Sequence, residues 1–336
     1  MIRPQTPEQM ADALRELAAR RRTIQLGGNF SKNRLGGSIE ATDETVSTCA
    51  MRRLLNYEPR DLTVSVEAGM PFRDLERTLA QNRQMLPLDP GWENSTVGGV
   101  IAANLSGPRR RVYGSARDVV IGMTFATLEG KLIRSGGMVV KNVAGLDMAK
   151  LMIGSFGTLA AIAVVNFKVF PMTARRVFEF SFATAAEAFQ MRDRILSSPL
   201  QPAAIDILNW PSGYRMLIEA NGNAGVLDRF ARELTGARVT DESIWDEVRE
   251  FTPRFLAANP AGAVMTMAMK LTEMAPAMEV LQVPAIARAG SGVIYAHYEQ
   301  SAPAAAWNGD FATMERIKQM FDPERLLNRG RLYGRI

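Results

Sequence analysis

Three glycine-rich segments, each joined to an apolar run, constrain this chain more than any other feature. Gln25-Leu26-Gly27-Gly28-Asn29-Phe30-Ser31-Lys32 continues a short strand-like run from Thr23 to Leu26. Asn94-Ser95-Thr96-Val97-Gly98-Gly99-Val100-Ile101-Ala102-Ala103-Asn104 combines small residues with amide and hydroxyl groups ahead of a helical stretch. Gly154-Ser155-Phe156-Gly157-Thr158-Leu159 turns into a β-rich run from Thr158 to Val169. A missing Cβ lets the backbone turn tightly and come close to a ligand, and successive N–H groups in such turns form concave anion sites. One such loop is usually only a turn, whereas three point to a ligand stretched across several loops.

The surrounding chain sets the limits. With 336 residues, 47% of them hydrophobic, it can bury a large core, and we expect two unequal domains. A charged fraction of 22% fits neither a disordered nor a fibrous protein. Cys49 is the single cysteine and His297 the single histidine, which excludes an internal disulfide and any Cys- or His-rich metal site. We therefore expect no metal. No apolar run reaches the roughly 18 residues that span a bilayer, and the N-terminus reads as an amphipathic helix rather than a signal peptide, so the expected compartment is the cytoplasm. The net charge of +5 is scattered and lacks interleaved aromatics, so nucleic acid is not an expected partner. Arg109-Arg110-Arg111, in a Gly/Pro-flanked loop, reads as a solvated loop, with contact to an anionic group as the alternative.

Local signals place the elements. Thr6 caps a helix to about Arg21, with Pro7 at its first position and Gln9 three residues on. Leu62 to Glu67 alternates as a half-buried strand, Pro71 to Gln81 is helical, and Val119 to Leu128 with Lys131 to Ser135 forms a hairpin about Glu129-Gly130. Leu86 to Gly114, rich in Pro, Gly, Asn and Ser, is the expected ligand-wrapping segment. A boundary falls at Pro171. Beyond it, Val177 to Phe182, a helix from Ala185, strands at Ala203 to Leu208 and Tyr214 to Glu219, and later helices and strands predict a small antiparallel sheet with helices on one face. The chain ends with a helix from Phe311 that stops at Asp322-Pro323. The expected division is 1–171, 172–320, and a tail, 321–336, that returns to the first domain.

The Rossmann G-x-G-x-x-G and Walker G-x-x-x-x-G-K-[ST] fingerprints are absent. The order of the three loops instead resembles the vanillyl-alcohol-oxidase flavoprotein family over roughly Thr23 to Pro171. Further stretches are similar to the flavin-subunit branch of bacterial glycolate oxidases: Gln84 to Pro90, Ser106 to Arg110, Gly114 to Gly122, Lys141 to Leu151, Phe321-Asp322-Pro323 and Leu327 to Leu332. The resemblance implies an α+β fold, with a PCMH-type FAD-binding domain followed by a smaller antiparallel α+β domain. It implies that Gly27, Gly28, Asn29, Phe30, Ser31 and Lys32 present the FAD pyrophosphate with backbone amides. Ser95, Thr96, Gly98, Gly99 and Asn104 line pyrophosphate and isoalloxazine, and Gly157, Thr158, Leu159 and Ile162 flank the adenosine. Pro90, Gly114, Asn142 and Asp147 join the cofactor-binding set, with Lys141, Asn142 and Asp147 candidates for the flavin end or for loop salt bridges and caps. Arg331 either closes the site or anchors the tail. Asn29-Phe30 and Ala160-Ala161 depart from the family's small Thr and Gly-Val, which alters packing.

Flavin performs its own electron chemistry, but oxidising an alcohol carbon calls for a base to take the hydroxyl proton. None can be named. His297 lies in strand-like sequence and reads as structural, and the flavin loops hold neither histidine nor cysteine, so noncovalent FAD is expected. What the resemblance implies is a subunit of a glycolate (2-hydroxy acid) oxidase. A paralogous flavoprotein subunit would oxidise the acid, an iron–sulfur subunit would pass electrons on, and the complex would sit peripherally at the inner membrane. A stand-alone FAD oxidoreductase and a non-catalytic structural subunit stay open.

Overall fold

The structure, a computed structural model, describes residues 1–138, 147–301 and 310–336. Lys141 and Asn142 lie outside the described residues. Contacts divide the chain into two compact units, each treated by itself below.

The first unit comprises Met1–Leu105, Ser115–Pro171 and the C-terminal segment. Its five-stranded antiparallel sheet runs in the spatial order Leu54–Glu58, Thr63–Glu67, Ala161–Lys168, Val120–Ala126, Leu132–Gly136. The alternating strand expected to be half-buried is buried at every position. Its polar side chains are satisfied inside: Ser65 donates to Asn166 Oδ1 at 2.7 Å, and Glu67, fully buried, accepts from the Arg53 backbone and guanidinium. Here alternation separated apolar groups from hydrogen-bonded ones, not core from water. Against this sheet pack the helix Phe72–Ala80, through Phe72, Leu75 and Leu79, and the short helix Val97–Ala102. A second cluster joins Met10, Leu14 and Leu17 of the helix Pro7–Ala19 to Ile24, Leu26, Val46 and Leu327. That helix starts at Thr6, whose hydroxyl accepts from Gln9 N at 3.2 Å, as its sequence requires. The strand Ile24–Gly27 pairs in parallel with Glu44–Ser47.

The second unit comprises Ser106–Gly114 and the chain from Met172. Its antiparallel sheet has seven strands, in the order Arg238–Thr240, Ala174–Phe182, Tyr214–Gly222, Ala204–Leu208, Ala285–Arg288, Val293–Tyr298, Ala263–Ala268. The expectation of helices on one face is corrected. Alternate residues of the strands feed two clusters: Phe178, Phe180, Ile205, Ile207 and Ile218 meet Phe189, Phe230 and Met274, whereas Val177, Leu208, Leu217 and Ile286 meet Trp245 and Val248 of the helix Ile244–Ala258. A strand whose two faces are both apolar must be covered twice.

Two boundaries also differ from the expected division. The helix Phe311–Phe321 belongs to the first unit, because Ile317 and Phe321 pack on its core and Lys318 is hydrogen-bonded inside it. Ser106–Gly114 belongs to the second, held there by Arg109, which is buried and donates to Glu219 through Nε at 2.8 Å and Nη2 at 2.9 Å. The expected solvated arginine loop is thus corrected at Arg109. Only Arg110 of the three is exposed.

Candidate functional site

The strand Ile24–Gly27 ends against the second glycine loop so closely that side chains have no room. A Cβ on Gly28 would overlap Thr96 Oγ1, and one on Gly98 would stand 2.8 Å from Ala68 Cβ. Thr96 caps the helix Val97–Ala102, accepting from Gly99 N at 3.3 Å, while Val97 N and Gly98 N donate to Met70 O and Ala68 O. The second loop's Val97, Gly98 and Gly99 amides are therefore already taken. Those of the first are not: the backbone N–H groups of Asn29, Phe30 and Ser31 have no acceptor among the described residues. Three consecutive amide donors left in this way are what an anion needs and what a closed loop avoids.

Side chains around them are fixed. Asn29 Nδ2 donates to Asn94 O at 2.9 Å, and the Cys49 thiol donates to Asn29 Oδ1 at 2.7 Å. Lys32 is buried, with Nζ donating to Ser95 Oγ at 2.6 Å and Ser31 Oγ at 3.2 Å, and lies 5.8 Å from the Trp92 ring centroid. Phe30 and Phe156 both hold left-handed backbone, at φ 54° and 53°. Bulky residues reach that region only when their surroundings enforce it, and such residues cluster at functional clefts.

The third loop is clasped from both sides. Phe156 N donates to Ala102 O at 2.8 Å, tying it to the second loop. Asn328, from the C-terminal segment, accepts from Leu26 N at 2.8 Å and donates to Leu26 O at 2.9 Å and Phe156 O at 2.7 Å, tying it to the first. Lys318 Nζ donates to Thr158 O at 2.8 Å, Leu327 O at 3.1 Å and Asp322 Oδ2 at 2.7 Å. Burial pushes the Lys318 ammonium below its ordinary pKa, and Asp322 opposes that shift. Arg331 grips the loop after the first glycines, donating to the carbonyls of Asn33, Leu35 and Gly37, with its guanidinium 5.5 Å from the Phe156 ring centroid. Among the described residues it has no carboxylate partner and its Nε is buried without an acceptor, and burial pushes its pKa down to about 10.

These loops line an open cleft of about 650 Å³, solvent at its mouth included. Of the cofactor residues implied by the sequence, Gly27, Gly28, Asn29, Phe30, Ser31, Lys32, Thr96, Gly98, Gly99, Gly157 and Ile162 line it together. Ser95 stands behind Lys32. Thr158, Leu159 and Pro90 are buried and off the lining, and Gly114 falls in the second unit. Asp147 is exposed, 3.8 Å from Lys150 Nζ. Asn104, at φ 50°, follows the lining residue Ala103 and keeps a buried Oδ1 without a donor. Sequence reasoning missed Leu26, Asn33, Thr48, Ala102, Ala103 and Phe156 as lining residues, while Ala160 falls within the implied adenosine-flanking stretch Thr158 to Ile162. Phe156 and Ala102 had a signal, since they belong to the glycine loops; Thr48 and Asn33 had none. The buried cation at the rim, the unused amides and the absent Cβ atoms fit a dinucleotide pyrophosphate with an aromatic system beside it.

Comparison with known proteins agrees with that chemistry. The family described as FAD binding domain matches residues 1–136, all but Ser106–Gly114 of them in the first unit. The glycolate oxidase subunit GlcE of Escherichia coli K12 is 30% identical over 340 residues, covering 93% of each chain. The chain belongs to the GlcE family of FAD-dependent oxidoreductase subunits, and its cofactor is FAD. The glycolate oxidase subunit GlcD of Bacillus subtilis is 33% identical over 48% of this chain, which spans 35% of that relative's length. A D-lactate dehydrogenase of Anaerostipes hadrus is 34% identical over 45% of this chain and 30% of that protein. An alkyldihydroxyacetonephosphate synthase structure superposes with a TM-score of 0.72 over 97% of this chain at 19% identity, a likeness of fold. Among the described residues no helix is long and apolar enough to cross a membrane.

Proposed function

We propose that this chain is the second flavin subunit of a glycolate (2-hydroxy acid) oxidase complex. It holds FAD noncovalently and serves electron transfer or assembly, beside a paralogous flavoprotein subunit that oxidises the acid and an iron–sulfur subunit that takes electrons onward. The complex works in the cytoplasm, peripheral to the inner membrane. The bound flavin supplies hydride and electron chemistry. The chain's own residues do the rest: the amides of Asn29, Phe30 and Ser31 receive the pyrophosphate, Lys32 and Arg331 add positive charge, and Phe30 and Phe156 shape the wall.

One observation carries the reading of a subunit rather than a complete oxidase. Among the described residues, the ionisable side chains lining the cleft are Lys32 and Arg331, both cationic, with no carboxylate or imidazole among them to receive a hydroxyl proton. His297 is fully buried, with Nδ1 3.1 Å from Pro284 O and Nε2 2.8 Å from Thr252 Oγ1; burial pushes its pKa down to about 4. It has structural partners on both nitrogens.

Affinity purification of the native protein, with bound flavin and co-purifying subunits read out, tests this. The expected result is a yellow protein with both partner subunits, whose glycolate-dependent dye reduction requires them. Dye reduction by the isolated chain overturns the subunit reading in favour of a stand-alone oxidoreductase. A colourless chain, even after incubation with FAD, leaves a structural subunit.

A further inference from the structure

The second unit carries an open groove of about 1330 Å³, solvent at its mouth included, that the flavin chemistry does not use. Leu200 and Phe230 form buried apolar wall, and Val226, 39% exposed, stands at the rim. Arg111 and Arg229 bring two cations. They are not equivalent. Arg229 Nε is paired with Glu233 Oε1 at 2.5 Å. Arg111 donates only to neutral acceptors, Pro202 O at 3.0 Å and Gln201 Oε1 at 3.3 Å, and has no acidic partner among the described residues.

Nor is Arg111 a loose surface side chain. Its stem lies on Gly290, where a Cβ would overlap Arg111 Cδ, and its segment is pinned by the buried Arg109–Glu219 pair and by Asn221 Nδ2 donating to Tyr113 Oη at 2.8 Å. Burial pushes the Arg111 guanidinium below its ordinary pKa. A half-buried cation without a counter-charge is costly unless something supplies one, and a guanidinium with unused donors matches a carboxylate in shape.

We propose that this groove binds a small organic carboxylate with an apolar body, its carboxylate on Arg111 and its hydrocarbon against Leu200 and Phe230. A monoanion matches the single uncompensated charge, because Glu233 already neutralises Arg229. An apolar body matches the wall. The site is independent of the reading of the flavin cleft.

The test is calorimetric titration of the flavin-loaded full chain with 4-methylpentanoate, using 4-methylpentanamide as the uncharged control. Saturable binding of the acid and none of the amide is expected. Arg111→Met keeps the stem on Gly290 and removes the charge; it should weaken the acid by on the order of tenfold or more, with flavin content unchanged. Should that variant fail to fold, Val226→Glu places a competing carboxylate at the exposed rim and should abolish binding. Equal binding of the amide, affinity retained in the variants, or no saturable heat from the acid in the millimolar range overturns the proposal.

Discussion

The sheet of the second unit and the C-terminal segment of the first place buried charge differently. In the second unit each buried acid meets an arginine across the sheet: Glu219 with Arg109 at 2.8 Å, Glu179 with Arg215 at 2.7 Å, and Asp206 with Arg288. These pairs close on themselves and hold strands and a loop in register. In the first unit the buried polar groups of the C-terminal segment reach for backbone carbonyls of other loops. Lys318 takes Thr158 and Leu327, Asn328 takes Leu26 and Phe156, and Arg331 takes Asn33, Leu35 and Gly37. Paired charges make a scaffold. Charges spent on loop carbonyls preorganise a cleft, leaving the Asn29, Phe30 and Ser31 amides for a ligand.

Breaking one buried pair in each unit is the strongest way to test that contrast. Glu219→Gln removes the carboxylate that Arg109 is buried against, and Asp322→Asn removes the one beside Lys318; each should cost about 3–5 kcal/mol in chemical denaturation. Only Asp322→Asn should also release FAD, since Lys318 fixes the third glycine loop. If both variants weaken FAD equally, the contrast is broken.

A pH titration sharpens it for the second unit. The Pro284 carbonyl can only accept, so Nδ1 of His297 carries the proton and Nε2 accepts from the Thr252 hydroxyl. Its folded pKa, about 4, lies below the ordinary 6.5, so the unfolded chain binds a proton that the folded chain refuses. Stability is therefore unaffected above pH 6.5 and falls as pH drops towards 4, by about 3 kcal/mol from this group. His297→Gln should flatten that slope in urea melts. An unchanged slope refutes the assignment.

In the first unit, Gly28→Ala forces its Cβ onto Thr96. The overpacking should cost about 1–3 kcal/mol, read as roughly five- to 150-fold weaker FAD in a fluorescence titration. The smallest effect belongs to Thr6→Ala. It loses the cap of Pro7–Ala19 for about 1 kcal/mol in thermal melts and leaves FAD affinity alone, because that helix supports the sheet rather than the cleft.

What the sequence disclosed was local. Thr6 with Pro7 and Gln9 set the start of the first helix, and the glycine loops announced themselves through spacing and composition. The hidden part depends on partners far along the chain. Arg109 looked solvated because Glu219 lies 110 residues away, and Asn328 clasps Leu26 across 302. The strand Ala285–Arg288 is only four residues long, so the sheet looked smaller. Val177, Leu217 and Ile286 face away from the Phe178 side, and only the seven-stranded pairing shows that Ile244–Ala258 must cover them. In the cleft, Thr48 and Asn33 sit in ordinary sequence and reach the lining only through tertiary packing.

The central claim is that the first unit is built to hold one FAD without a covalent bond. Acid precipitation of the purified full chain, with flavin quantified in the supernatant and the pellet, tests it most directly. The account predicts one FAD per chain, all of it in the supernatant. Flavin retained in the pellet, or none in either fraction after incubation with FAD, would contradict it.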